Sequence, residues 1–85
     1  MNEVITYRDL PAVLRQFGFI AKPVDATHTA FHEVSSDAFF VLPTDQASKP
    51  VRPSHLALIR HTIIENGIAE RSELDAALLN ESLVA

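Results

Sequence analysis

The sequence predicts an α+β domain of two layers, with helices on one face of a three-stranded antiparallel sheet, in the order helix, three strands, helix, plus a short C-terminal helix. Three observations lead there. Apolar residues recur at helical spacing before Gly18 and again after Pro53. Between these stretches lie three short extended pieces separated by turn residues. The whole chain, 85 residues with 47% apolar side chains, is long enough for a single modest core and no second one.

The first helix is expected near residues 7–17. Thr6-Tyr7-Arg8-Asp9 reads as its start, because threonine can cap free N–H groups and Asp9 in the first turn suits the helix dipole. With Asp9 as the cap instead, Pro11 falls in the first turn, where its missing N–H costs nothing. Leu10, Val13, Leu14 and Phe17 form the apolar stripe, and Gly18 is the stop. Phe19 to Val24 reads as a strand, assigned to an edge by Pro23. His28 to Val34 alternates, Ser35-Ser36-Asp37 is a turn, and Ala38 to Leu42 is the third strand before Pro43. Strand side chains alternate between faces, so His28, Ala30 and His32 share one face and Phe31 points to the core. "TDQASKPVRP" is a loop. Ser54 or Pro53 opens a second helix with Leu56, Ile59 and Ile63 as its buried stripe, ended by Gly67. Ser72-Glu73-Leu74-Asp75 starts a third helix running to about Leu79. Residues 6–67 thus form the core unit, and residues 68–85 a short helix with an acidic tail.

Composition narrows the function classes. There is no cysteine, which excludes a disulfide framework and a thiolate metal site. No apolar run reaches the ~20 residues of a membrane span, and "MNEVITYRDLP" has no apolar signal region, so the expectation is a cytoplasmic protein without membrane contact. The net charge of −4 argues at first against nucleic acid. That charge resides entirely from Glu65 onward; residues 1–64 are neutral, and Gln46 to Ile64 holds Lys49, Arg52, Arg60 and two histidines with no acid. A local basic patch therefore exists on an acidic chain. No phosphate-binding loop, nucleophile elbow or HExxH pattern is present. His28 and His32 lie roughly 13 Å apart along a strand, too far to share a metal ion. No metal and no cofactor is expected.

The order of elements and their punctuation resemble the HicA family of bacterial toxins, which have a double-stranded-RNA-binding-domain-like fold. The residues that carry the resemblance are "TYRDLPAVLRQFGF", "ATHTAFHE", "FFVLP" and "PVRPSHLALIRHTIIENGI", spread over about residues 6–78. Ala26-Thr27 stand where the family has glycine and serine, and Ser54-His55 where it has glycine and threonine. The resemblance implies an endoribonuclease that cleaves mRNA without a metal and is held inactive by a HicB-like antitoxin. By position it makes His28 the catalytic histidine, and Arg52 matches the basic residue before the second helix.

Metal-free RNA cleavage needs a base for the 2′-OH proton, an acid for the leaving 5′-oxygen and positive charge for the developing phosphorane. Histidine suits the proton work. His28 is the first candidate, with His32 as a second proton-transfer group or RNA contact. Lys22, Lys49 and Arg52 are candidate phosphate contacts. Against these stand the ordinary readings of surface histidines and loop charges. His55 and His61 read as helix-surface residues and Arg60 as a minor surface charge. "FFVL" is apolar on both sides, so the uncovered sheet face should expose two large side chains. A partner, either a second copy or an antitoxin, is the expected cover, with the third helix folding back as the alternative. The rival function is a HicA-like module whose catalysis has lapsed and which acts by homo-oligomerisation or RNA binding.

Overall fold

The computed structural model describes residues 4–78. Its elements are α1 (Leu10–Gln16), β1 (Phe19–Pro23), β2 (His28–Glu33), β3 (Ala38–Pro43), α2 (Pro53–Glu65) and α3 (Arg71–Leu78). This is the expected α+β order. The expected end of the third helix at Leu79, and the acidic tail beyond it, lie outside the described residues.

The strands form one antiparallel sheet in the order β1-β2-β3. Its register sets Ile20, His32 and Phe39 in one cross-strand row and Lys22, Ala30 and Val41 in the next. Phe31 and Phe40 pair directly on the opposite face, with ring centroids 5.5 Å apart. Phe19 joins Phe40 at 5.3 Å. These three rings, with Leu42, meet Leu10 and Leu14 of α1 and Leu56, Ile59 and Ile63 of α2 in one buried core. Each side chain buried in this way contributes about 1.5–3 kcal/mol relative to exposure, so the match of strand and helix stripes fixes the two-layer arrangement.

The helix start is later than its earliest expected position. Tyr7 to Asp9 form a turn, because the N–H groups of Tyr7 and Arg8 donate to the carbonyls of Lys49 and Ala47. Asp9 is the N-cap residue, though its side chain makes no cap bond, and Pro11 sits in the first turn. The "TDQASKPVRP" segment is likewise tied down: Thr6 bridges Pro50, and Val51 donates to the Ile5 carbonyl. Ile5 and Val51 are buried as a result.

The alternative in which the third helix covers the open sheet face is not realised. α3 packs beside α2, with Leu74 and Leu78 fully buried and Arg60 Nε 3.0 Å from Asp75 Oδ1. The Leu78 carbonyl also accepts from the Ile5 N–H. Arg60, read from sequence as a minor surface charge, is therefore a half-buried tie between helices. Among the described residues nothing covers the open face, where Ile20 is 60% and Phe39 58% exposed.

Candidate functional site

The turn from β1 to β2 is built around Asp25. Its Oδ1 accepts the backbone N–H groups of Thr27 (2.8 Å) and His28 (2.9 Å) and the Thr27 hydroxyl (3.0 Å). Aspartate accepting from the backbone two residues on is a standard way to close such a turn. These bonds hold the Asp25 carboxyl below its ordinary pKa, the Thr27 backbone N–H first and its hydroxyl next, with smaller help from His28. Asp25 is thus a carboxylate that accepts and does not donate.

That bears on the tautomer of the neutral His28 ring. Its Nδ1 lies 2.7 Å from Thr27 Oγ1 and 3.4 Å from Asp25 Oδ1. The Thr27 hydroxyl has one hydrogen and gives it to Asp25, so the hydroxyl oxygen is left to accept Nδ1–H. The neutral imidazole then carries its free lone pair on Nε2. A side chain 46% exposed at the start of the central strand therefore presents a proton acceptor oriented by a second group and a carboxylate behind it. This is the arrangement that general-base catalysis requires.

Arg52 comes to the same end of the sheet. It is the N-cap residue of α2, and it lines a recess of about 180 Å3 with Tyr7, Pro43, Asp45 and Gln46. Pro43 is the register partner of His28, and the Thr44 N–H donates to the Thr27 carbonyl at 2.8 Å. Lys49 is exposed on the same loop as Arg52. Lys22 and His32 are placed differently, on the open face among Ile20, Ala30, Asp37 and Phe39. His32 Nε2 is 2.8 Å from Asp37 Oδ1, and its ring stands edge-on to Phe39. Although His28 and His32 share a face, each has its own carboxylate partner and they form no acid–base pair.

Two features escaped the sequence reading. His55, expected on the surface, is partly buried with Nδ1 2.6 Å from the Tyr7 hydroxyl. That hydroxyl accepts the Arg52 N–H at 3.1 Å and so donates its hydrogen to Nδ1. Burial, and secondly the Arg52 charge, push the His55 pKa down. The available signal was Tyr7 itself, since a tyrosine in an apolar N-terminal segment needs a partner for its hydroxyl. The second feature is the Asp25–Thr27 support of His28, which the string Asp-Ala-Thr-His could have disclosed as an aspartate-closed turn. Among the described residues, no group of three or more His, Asp or Glu side chains gathers at a spacing that could hold a metal ion, and no helix is long and apolar enough to cross a membrane.

No protein-family model, no curated protein and no solved structure matches the chain.

Proposed function

We propose that the protein is a HicA-like endoribonuclease toxin of a toxin–antitoxin pair, acting on mRNA through His28 and restrained by a HicB-like antitoxin. The observation that carries the reading is the Asp25–Thr27–His28 relay, which leaves Nε2 of an exposed histidine free to take a proton. In the proposed reaction Nε2 removes the 2′-OH proton, the 2′-oxygen bonds to phosphorus, and the bond from phosphorus to the 5′-oxygen breaks. Water protonates the leaving 5′-oxygen, and the products are a 2′,3′-cyclic phosphate and a 5′-hydroxyl. Arg52, and Lys49 beside it on the loop, supply positive charge to the phosphate.

The test is cleavage of a defined RNA by purified protein in excess EDTA. The wild type should cut, His28→Ala should lose about 100-fold or more, and Thr27→Val should lie between them. Equal cleavage by wild type and His28→Ala overturns the assignment. The uncovered face holding Ile20 and Phe39 favours a second reading, an interaction module of the same fold whose catalysis has lapsed. No cleavage by a folded wild type decides for it.

A further inference from the structure

We propose that the open sheet face is an interface between two copies of this chain, related by a twofold axis and keyed by Lys22 of each copy against the partner's Asp37. The face has an apolar floor of Ile20, Ala30 and Phe39 around a shallow concavity of about 500 Å3, with Lys22 at one side and Asp37 at the other. Val41 extends the floor beside Ala30. An apolar patch of this kind, rimmed by charge, marks a protein contact.

The placement of the two charges selects a second copy as the occupant. In a twofold dimer, whatever residue meets a second one is met by it in return. Lys22 lies on edge strand β1, opposite Ala30; Asp37 lies past the far end of edge strand β3, reaching back to His32. Their midpoint falls between Ala30 and His32, at the centre of the patch. A twofold axis in the plane of the face, through that point and diagonal to the strands, lays each Lys22 over the partner's Asp37. It sets Ile20 and Val41 each against its own counterpart, and the two sheets cross at close to a right angle, one of the two usual ways that sheets pack. Two opposite charges are thereby satisfied twice by one symmetry operation. Lys22 makes no ion pair within the described chain, and the Asp37 side chain is 90% exposed.

The arrangement also separates two uses of the surface. Lys22 serves the dimer, whereas His28, Arg52 and Lys49 stay with the end of the sheet. Three strands at ~4.8 Å spacing and five or six residues at ~3.3 Å span roughly 300 Å2 per copy, below a standard interface, so the dimer should be weak and its population should depend on concentration.

The experiment is sedimentation equilibrium of the full chain from 5 to about 500 μM, on wild type, Lys22→Glu, Asp37→Lys and the double variant, with circular dichroism confirming that each is folded. The wild type should dimerise, each single variant should weaken the dimer at least about tenfold, and the double variant should return it to within about threefold, because the reversed pair attracts again. Asp37 occupies left-handed backbone, φ 62°, so Asp37→Asn, which that conformation tolerates, is the check that a loss reflects charge and not folding. A wild type that stays monomeric throughout overturns the proposal. So does a dimer indifferent to both single variants. Binding of a different protein to this face by a monomeric wild type would assign the patch to that partner instead. None of these outcomes depends on RNA cleavage.

Discussion

Glu33 shows how one side chain can close a hairpin. It is the single charged residue buried on the core side among those described, and Ser35 and Ser36 each give it a backbone N–H and a hydroxyl, at 2.6 to 3.1 Å. The two hydroxyls and the Ser36 N–H hold its carboxyl at about 2, below the ordinary 4.5. The fold favours the ionised form, so the stabilisation is complete above pH 4.5 and is lost as the pH falls toward 2. Thermal unfolding from pH 7 to 2 should show the wild type losing stability across that window. Glu33→Gln should start lower at pH 7 and lose less over the same range, the remaining loss including that of Asp25; parallel curves would contradict the assignment. Tyr7 is the second residue of this kind. Tyr7→Phe leaves both His55 Nδ1 and the Arg52 N–H without their partner, and urea unfolding should register a loss of about 1–3 kcal/mol. An unchanged midpoint would mean that water replaces the hydroxyl at no cost.

Elements with a strong period were legible, and elements without one were not. Leu56, Ile59 and Ile63 are the buried stripe of α2 because helical spacing leaves no alternative, and the alternation of β2 likewise sends Phe31 inward and His28 outward. The N-terminal Ile5–Tyr7 segment and its pairing with residues 49–51 had no such signal, since the contact spans more than 40 residues and consists of one bridge and a few backbone bonds. For the same reason α1 could be assigned by its stripe but not its first residue. In the candidate site, His28 and Arg52 were found by resemblance, but the support for His28 was not, because hydrogen bonds within a turn leave no periodic trace. Glycines mark the element ends. Gly18 ends α1 at φ 92°, and a Cβ there would stand 3.4 Å from Glu33 Cγ, whereas Gly67 at φ 65° opens on free space. Both Gly→Ala changes should destabilise, Gly67→Ala by about 1 kcal/mol from backbone strain. Gly18→Ala should cost more, because φ 92° lies further from the left-handed well at about 57° than φ 65° does, while its Cβ would meet Glu33 at ordinary contact distance. Equal denaturation midpoints for the two variants would show that the backbone at Gly18 relaxes freely.

At the scale of the whole molecule, the two layers give the protein two different surfaces. The helical layer, with α3 tied to α2 through Arg60 and Asp75, completes the core and leaves one sheet face free. That face carries apolar side chains. The end of the sheet where His28 pairs with Pro43 carries the oriented histidine, and Arg52 lines a recess with that same proline. An acidic chain can meet RNA only through such a local patch, and the stretch from Gln46 to Ile64 holds three basic residues and no acid. The proposed catalysis at the end of the sheet and the proposed association across its middle are therefore compatible in one 85-residue chain. The central claim is that His28 makes this protein an RNA-cutting toxin, and growth of a bacterial host under induction tests it most directly. With soluble, folded protein confirmed for both, the wild type should arrest growth and His28→Ala should not. Normal growth with both proteins, or equal arrest by both, would contradict it.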